Sequence, residues 1–371
     1  YACYCFMPNK TIGGKKMSGE HEIENNENNK EEISSKIERK IKGGKKNKRR
    51  GLKAFGIIVL VLLILLAIII GSIVWVINDK FSKMQQVDID EEELSISSEI
   101  EQNLAEYRNI ALFGIDSRQD TYSRGNRSDC IIIASLNNTT KEVKLISVYR
   151  DTYVNIEGHG LDKITHAYSY GEAPLAIKTL NTNLDLNIKE FVTVNFDAVK
   201  EIVDNIGGIS MNITQEEVSH IPGISIAGTY NLTGEQALAY SRIRYATGGD
   251  YKRTERMRDV LTAVMNKIKT FDISRLNSFI DFVLPKIYTN ISASDVFSMI
   301  PSLTSIKVAD SIGWPYNTQG ITLDRWYGVP ITLESNVKQL HEEVFGETDY
   351  TPSETVKQIS QSIVDKTGYG K

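Results

Sequence analysis

The stretch ALAYSRIRYATGGDYKRTERMRD, residues 237–259, is rich in arginine although the chain as a whole is acidic. Five arginines fall within seventeen positions: Arg242, Arg244, Arg253, Arg256 and Arg258. The planar guanidinium fork matches the oxygens of phosphate groups, so this residue type points to a phosphate or pyrophosphate. Residues 1–53 carry a net charge of +7 within a total of −4, so residues 54–371 carry −11. Such an acidic segment is a poor general binder of polyanions such as nucleic acid, and the cluster therefore predicts a local anion site.

The first two arginines follow a predicted helix. Thr233 and Gln236 have the spacing of a capping box, which predicts a helix over GEQALAY. The next residues, YSRIRY, alternate in polarity and predict a strand. In that strand Arg242 and Arg244 would share one face, with Ile243 on the other.

A second helix is predicted over YKRTERMRDVLTAVMNKI, with Asp250 as its cap. Its apolar positions recur at helical spacing and define an inward stripe. The stripe comprises Met257, Val260, Leu261, Val264, Met265 and Ile268. Arg253 and Arg256 continue it toward the helix N-terminus, whereas Arg258 falls off the stripe and is predicted to be solvated.

The two inward arginines require a negative partner, because an unpaired buried charge costs several kcal/mol. The N-terminus of a helix favours anions, which supports a bound phosphate as that partner. Internal pairing with a carboxylate is the alternative. The nearby candidates are Glu235, Asp250 and Glu255.

Short apolar, β-branched runs predict buried strands over 109–115, 130–136 and 142–148. Helical spacing follows over 174–184 and 195–206, and recurs over 274–302 and 332–345. This arrangement predicts an α/β fold in which helices cover a sheet.

Polar residues stand at the ends of these strands. Asp116 follows the first strand, Asp129 precedes the second, and Arg150 follows the third, with Arg127 just ahead of Asp129. Ligands of open α/β sheets bind outside the carboxyl ends of strands, so we expect Asp116 and Arg150 to line one crevice. Two carboxylates beside phosphate-binding arginines suggest Mg²⁺ (or Mn²⁺), which takes carboxylates, water and substrate phosphates as ligands. The alternative is that both aspartates only cap turns.

Residues 54–77 contain 24 positions without a charge. A helix of that length crosses a bilayer core of about 30 Å, and a buried core helix is the alternative. The preceding residues 36–53 carry ten Lys/Arg against one Glu, and DIDEEE follows the apolar run. The positive flank predicts a single-pass protein of the cell membrane with a cytoplasmic N-terminus and an extracellular folded domain.

The rest of the chain is divided by its composition. Residues 1–16 are expected to be a leader absent from the natural chain, because position 1 is not Met and the codons for IGGKK, just before Met17, can spell a ribosome-binding site. Residues 17–53 are predicted to be a disordered, basic cytoplasmic segment that sets topology, with binding of nucleic acid or anionic lipid as the alternative. Residues 78–104 are interpreted as an acidic stalk, 105–345 as the folded domain and 346–371 as a loose polar tail.

Six motifs in order resemble the LytR-CpsA-Psr family of bacterial envelope proteins: NIALFGIDSR, RSDCIIIASLN, KLISVYRDTYV, KITHAYSYG, VDNIGGI and LTGEQALAYSRIR with GGDYKRTER. The resemblance covers about 105–345 and implies a mixed central β-sheet with helices on both faces, preceded by one transmembrane helix. It implies a phosphotransferase that moves an anionic glycopolymer, of teichoic acid or capsule type, from a polyprenyl-pyrophosphate carrier to peptidoglycan. The partners would be that lipid-linked polymer, the peptidoglycan acceptor and the membrane, and no nucleic acid is expected.

The resemblance also implies roles for individual residues. Asp116 and Asp129 match an acidic pair associated with Mg²⁺, and an apolar tunnel lined by aliphatic residues around 174–206 would hold the lipid. The pyrophosphate would be bound by Arg127, Arg150, Lys163, Arg242, Arg244, Arg253 and Arg256, with Asp250 in support. Asp116, Asp129 and Arg150 are the residues expected to take part in catalysis, and either aspartate could act as base.

The chain departs from the family pattern at two positions. Met257 stands where many members have Gln, and Tyr149 stands where many have Pro.

Two other functions remain open on the sequence. A lipid-pyrophosphate hydrolase would use the same site with water as the attacking group, and a non-enzymatic transcriptional attenuator would need no acceptor.

Overall fold

The computed structural model describes residues 33–36, 38, 82, 84–117, 122–244, 249–292, 295–296, 299, 305–309 and 311–370. The chain divides into two compact units, Tyr1–Trp75 and Val76–Lys371. The apolar run 54–77 lies outside the described residues. Among the residues that are described, no helix combines the length and the apolar character needed to cross a bilayer.

The second unit contains alternating strands and helices. The strands are β1 Gln85–Gln86, β2 Tyr107–Ile115, β3 Ser128–Asn137, β4 Glu142–Val148, β5 Tyr153–Ile156, β6 Gly160–Lys163, β7 Glu190–Asn195, β8 Ile209–Ile213, β9 Gly228–Leu232, β10 Tyr288–Thr289, β11 Lys307–Val308, β12 Ile312–Trp314, β13 Thr318–Thr322 and β14 Trp326–Pro330. The helices are α1 Ser98–Asn103, α2 Ile164–Leu184, α3 Phe196–Asn205, α4 Gly234–Ser241, α5 Gly249–Ile268, α6 Ile273–Val283, α7 Leu333–Leu340 and α8 Glu354–Thr367. Short 3₁₀ turns cover Glu91–Leu94, Val218–His220 and Leu284–Lys286, and a π-helical turn covers His341–Phe345.

Within the described residues, the central sheet has eight strands in the order β1-β10-β7-β2-β3-β4-β11, with β12 also paired to β4. β3 is antiparallel to both β2 and β4, whereas β7 is parallel to β2 and β12 is parallel to β4. The carboxyl ends of β2, β4, β7 and β12 therefore meet the start of β3 at one edge. This confirms the mixed central sheet.

The two faces of the sheet bury different helices, because side chains alternate along a strand. On one face Ala111, Phe113 and Ile115 join a core that includes residues of α2, α7 and α8. On the other face Leu112 and Gly114 face α3 and α5 across an apolar cavity. The predicted arrangement of helices on both faces is confirmed.

The acidic segment 78–104 is not a free stalk over its described part. β1 pairs in parallel with β10, and Leu94 and Leu104 are buried in the main core. The buried contacts of this segment were not predicted, because its few apolar residues are spaced among many acidic ones.

The expected loose tail also differs from the structure. α8 buries Val356, Ile359 and Ile363 in the main core. These residues recur at intervals of three and four, so one face of an otherwise polar helix is apolar. The segment is polar in composition but amphipathic in pattern.

The predicted helix over 274–302 is interrupted in the structure. α6 ends at Val283, and Tyr288 and Thr289 form β10, which pairs with β7 in the sheet. Pro285 lies in the 3₁₀ turn between them, where its missing N–H cannot continue a helix.

Candidate active site

The predicted polar residues converge at one edge of the sheet. Ile115 is paired with Ser128 and Gly114 with Cys130, with a register irregularity between them. Asp116, which follows β2, and Asp129, the second residue of β3, therefore lie at the ends of neighbouring strands. Arg150 follows β4 on the other side of β3, and its guanidinium contacts Asp129. The crevice predicted from the strand ends is thus formed by adjacent strands.

Arg150 belongs to a chain of alternating charges. Its Nη1 donates to Asp129 Oδ1, and its Nε lies 3.5 Å from Asp151 Oδ2. Lys163 Nζ donates to the other oxygen of Asp151 at 2.7 Å. The side chains of Arg150 and Lys163 are 18% and 15% exposed, so both cations are largely buried but keep some contact with solvent. The backbone fixes them as well, since Thr165 N donates to Arg150 O at 3.1 Å.

Arg242 brings a third cation to this edge. Its Nη2 lies 3.4 Å from Asp116 Oδ1, and its guanidinium carbon lies 4.4 Å from the centre of the Phe196 ring. Both side chains of the pair are open to solvent, at 46% and 60% exposed. Asp116 and Arg242 are therefore accessible to a ligand, in contrast to the largely buried pair of Asp129 and Arg150.

Over residues 240–244, the part of YSRIRY that the structure describes, the predicted strand does not form. α4 ends at Ser241, and Arg242 is its C-cap. The predicted division of faces nevertheless holds, because Ile243 is buried at 3% exposed whereas Arg242 and Arg244 are exposed. The predicted capping box of Thr233 and Gln236 is confirmed.

α5 buries its first arginines as predicted. Arg253 is 2% exposed and Arg256 is 5% exposed. Arg256 has an internal partner, because its Nε donates to Glu217 Oε1 at 2.7 Å and its Nη1 donates to the carbonyl of Ile243 at 3.3 Å. The alternative of internal pairing therefore holds for Arg256, but with a carboxylate other than the three candidates near in sequence.

Glu217 is adapted to this role. It is 6% exposed, and its Oε2 accepts a hydrogen bond from Thr214 N at 3.0 Å. Burial acts to raise the pKa of Glu217, but the hydrogen bonds from Thr214 and Arg256 outweigh it and hold the pKa below its ordinary value. The ion pair is therefore present at neutral pH.

Two other predictions for α5, that Arg258 is solvated and that Asp250 precedes the helix as its cap, differ from the structure. Arg258 is not solvated; it is 8% exposed and its Nη1 donates to the carbonyl of Ile312 in β12 at 2.9 Å. α5 packs against both β8 and β12, so a residue off the apolar stripe is still covered. Asp250 lies within the first turn of α5 and not ahead of it, and its side chain is outside the described structure.

An apolar cavity of about 200 Å³ lies directly behind the strand ends. Its walls come from β2, β3, β7, α3 and α5, and include Gly114, Cys130, Phe196 and Met257. Burial raises the pKa of the Cys130 thiol to about 12, while the nearby positive charge of Arg253 acts in the opposite direction. The cavity is therefore lined by Gly114, two positions before Asp116, and by Cys130, the residue after Asp129, and Arg253 lies near Cys130.

The tunnel expected from residues 174–206 is only partly matched by this cavity. Val199 and Ile202 of α3 line it, together with Val192 and Val194 of β7. The helix over 174–184 instead faces the opposite side of the sheet, where Ile177 and Leu180 join the main core.

The residues at the two departures both have structural partners. Met257 is 8% exposed and lines the apolar cavity, where a thioether is better suited than an amide. The Tyr149 ring packs edge-on against Tyr251 with their centres 4.4 Å apart. A Cβ at Gly313 would lie 2.1 Å from the Tyr149 hydroxyl oxygen, so the glycine makes room for this tyrosine.

The chemistry of the two strand-end carboxylates suits a divalent cation that takes its other ligands from a substrate and water. Asp116 and Asp129 offer oxygen ligands from adjacent strands, and Mg²⁺ needs only one or two carboxylates when phosphate and water complete its shell. Over the part of the chain that the structure describes, no set of three or more His, Cys, Asp or Glu side chains is arranged as a metal site.

Two carboxylates of the site were given no role on the sequence. Asp151 joins Arg150 to Lys163, and its position directly after Arg150 was the available signal. Glu217 is 39 positions from Arg256, and no spacing rule connects them. Arg127, predicted to bind phosphate, is exposed at the loop that leads into β3.

The sequence is similar to a known family and to characterised members of it. The sequence model of the LytR_cpsA_psr family matches residues 72–342. The chain is 34% identical over 253 residues to the polyisoprenyl-teichoic acid–peptidoglycan teichoic acid transferase TagU of Enterococcus faecalis, covering 67% of this chain and 82% of that protein. It is also 34% identical over 226 residues to the corresponding transferase TagT of Bacillus subtilis, covering 57% of this chain and 70% of that protein.

A solved structure supports the same assignment. The structure of TagT bound to LIIa-WTA has a TM-score of 0.52 and 26% identity, and the match covers 72% of this chain and 92% of that one. The chain therefore belongs to the LytR-CpsA-Psr family.

Proposed function

We propose that this protein is a phosphotransferase that moves an anionic glycopolymer from a polyprenyl-pyrophosphate carrier to peptidoglycan and releases polyprenyl phosphate. One observation carries the proposal: Arg150, Lys163 and Arg242 meet three aspartates at the strand ends, beside an apolar cavity of about 200 Å³. A lipid diphosphate has the same division between an anionic head and an apolar tail. The names of the relatives above support the same chemistry.

Each cation can hold the diphosphate in a different way. Arg150 and Lys163 are held by Asp129 and Asp151, so their orientation is fixed before a ligand arrives. The more exposed Arg242 can exchange its contact with Asp116 for a phosphate oxygen, and Arg127 and Arg244 can approach from the loops. Pre-oriented cations stabilise the charge that develops on the leaving phosphate without reorganising during the reaction.

Arg253 and Arg256 have different roles in this proposal. Arg253 lies beside the cavity near Cys130, where it can interact with the phosphate that carries the lipid. Arg256 is committed to Glu217, and through the carbonyl of Ile243 it fixes the segment that carries Arg242 and Arg244. We therefore assign Arg256 to positioning and not to direct binding.

The transfer step breaks one bond and forms another. A hydroxyl oxygen of the acceptor sugar bonds to the phosphorus on the polymer side of the diphosphate, and the bond from that phosphorus to the bridging oxygen breaks. Polyprenyl phosphate leaves with the electron pair, and the hydroxyl proton passes to a carboxylate. Asp116 is the more accessible acceptor for that proton, because its side chain is 60% exposed and Asp129 is engaged by Arg150.

Asp116 and Asp129 would also hold Mg²⁺ (or Mn²⁺). A bound divalent cation supplies charge neutralisation across the phosphate oxygens. The carboxylates lie on rigid strand ends, which is the support that a shared metal site requires.

The apolar run 54–77 gives the proposed reaction its location. We propose that it anchors the protein in the cell membrane, with the N-terminus in the cytoplasm and the catalytic unit outside. A polyprenyl chain gains about 0.8 kcal/mol per buried CH₂, so the carrier stays in the bilayer and the enzyme must act at that surface.

Transfer can be tested with the full chain, a lipid-linked polymer and isolated peptidoglycan. We expect polymer bound to peptidoglycan and free polyprenyl phosphate, with the product lost in Arg150→Ala and retained in the surface control Lys338→Ala. Release of free polymer at the same rate without peptidoglycan would instead identify a hydrolase.

A further inference from the structure

An exposed aromatic pair beside the site has no part in the reaction described so far. Trp326, the first residue of β14, is 44% exposed, and Tyr251, in the first turns of α5, is 36% exposed. Large aromatic side chains gain free energy from burial, so two exposed rings next to a charged site call for an explanation. We call Trp326 and Tyr251 the aromatic platform.

The indole of Trp326 lies flat on two glycines. Gly320 and Gly328 pair across β13 and β14, and Trp326 is on the same face of this hairpin. A Cβ at Gly320 would come within 2.8 Å of Trp326 Nε1 and 3.2 Å of its Cε2 and Cζ2, and a Cβ at Gly328 would lie 3.6 Å from its Cη2. One face of the ring is therefore packed on backbone, and the other face is available to a ligand.

The platform is fixed to the charged site. The Tyr251 hydroxyl hydrogen bonds with Thr318 Oγ1 at 2.7 Å on the same hairpin. The N–H of Gly328 donates to the carbonyl of Asp151 at 3.0 Å. Asp151 is the carboxylate that joins Arg150 to Lys163, so the distance between the platform and these cations is set by direct contacts.

We infer that the aromatic platform binds the acceptor glycan, with a pyranose ring of an amino-sugar chain stacked on the open face of Trp326. The inference rests on the proposed transferase function. A sugar ring has an apolar C–H face and a polar rim, and an indole face bordered by the hydroxyl of Tyr251 and the carbonyl of Asp151 complements both. The ring would then present its hydroxyl groups toward Arg150 and the reacting phosphorus.

A membrane contact is the other use of an exposed tryptophan. The structure favours the glycan, because Asp324 and Arg325 form an exposed ion pair at 2.9 Å in the turn of the hairpin, where insertion into a bilayer would bury both charges. The flat orientation of the indole also offers a ring face, whereas an anchoring side chain projects outward.

Kinetics of the full chain with uncrosslinked peptidoglycan strands test the inference. Trp326→Ala should raise KM for the strands about 2- to 10-fold, as expected for the loss of one aromatic contact. The rate at saturating acceptor and KM for the lipid-linked donor should stay unchanged. Trp326→Phe should recover most of the loss, and Leu323→Ala, in the turn of the same hairpin, should behave as wild type. An unchanged acceptor KM in Trp326→Ala, or an equal rise in donor KM, would overturn the inference.

A binding measurement separates this inference from the proposed function. The strands alone, without donor, should change the tryptophan fluorescence of the wild-type chain, and the change should be absent in Trp326→Phe. If the wild type transfers no polymer but this difference persists, the proposed function is wrong and the glycan site stands. If transfer occurs and the difference is absent, or if brominated lipid in vesicles quenches the Trp326 signal, the glycan site is wrong.

Discussion

Substitution of Glu217 by Gln should destabilise this protein strongly, because it removes the charge that compensates a buried guanidinium. The side chains of Arg256 and Glu217 are 7% and 8% exposed, and the two atoms in contact are 2.7 Å apart. Removing one member of such a pair leaves an uncompensated buried charge, which costs about 3–5 kcal/mol. We expect the free energy of unfolding of the second unit to fall by that amount.

The double variant Glu217→Gln/Arg256→Met separates the charge effect from simple loss of contacts. It removes both charges and should recover much of the stability lost in Glu217→Gln. Denaturant unfolding followed by circular dichroism measures all three proteins, and Glu216→Gln, an exposed neighbour, is the matched control. A Glu217→Gln protein as stable as wild type would refute the assignment of Arg256 to positioning.

The same pair gives a dependence on pH with a definite sign. The folded-state pKa of Glu217 is lowered, so its contribution is present above the unfolded pKa of about 4.3. It is lost as the pH falls through the folded pKa. The difference in unfolding free energy between wild type and Glu217→Gln should therefore be constant from about pH 6 to about pH 8 and should shrink in acid. Denaturant unfolding at a series of pH values measures it.

Other predictions concern the chemistry of the site. Arg150→Ala should lower kcat/KM for transfer about 10- to 150-fold, the value of a charged hydrogen bond, and Arg150→Lys should recover only part because lysine lacks the fork. EDTA should abolish transfer and added Mg²⁺ should restore it, whereas Asp116→Asn/Asp129→Asn should not respond to added Mg²⁺. Because burial raises the pKa of Cys130 to about 12, iodoacetamide at pH 8 should alkylate this thiol far more slowly than it alkylates the thiol of free glutathione. Mass spectrometry of the Cys130 peptide measures the rate.

Each of these predictions has a clear contrary result. Equal transfer rates in wild type and Arg150→Ala would remove this residue from the site, and full activity in excess EDTA would exclude a divalent cation. If iodoacetamide alkylated Cys130 as fast as the thiol of free glutathione, the cavity wall would be open to solvent. Lys338→Ala serves as the surface control for Arg150→Ala, since its side chain is 46% exposed.

The sequence was sufficient for features that depend on local pattern. β2, β3 and β4 contain the apolar runs that predicted them, and Asp116, Asp129 and Arg150 stand at the strand ends that meet at one edge. The inward face of α5 was also predictable, because Arg253 and Arg256 continue a helical stripe. These features require only the period of a strand or a helix.

Features that depend on contacts distant in sequence could not be predicted in the same way. Glu217 reaches Arg256 only because β8 packs against α5, and Arg258 is covered by β12, whose sequence position gives no hint of this contact. YSRIRY alternates like a strand, but its described residues 240–244 end a helix, and among the described strands none is paired with them. α8 was missed because overall polarity hid its apolar face.

The central claim is that the cations at the strand ends and the apolar cavity hold one lipid diphosphate. A crystal structure of this chain with a bound polyprenyl diphosphate tests it most directly. The account predicts phosphate oxygens in contact with Arg150, Lys163 and Arg242, and the hydrocarbon chain inside the cavity lined by Cys130 and Met257. A diphosphate bound elsewhere, with these three side chains still engaged only by their own carboxylates, would contradict it.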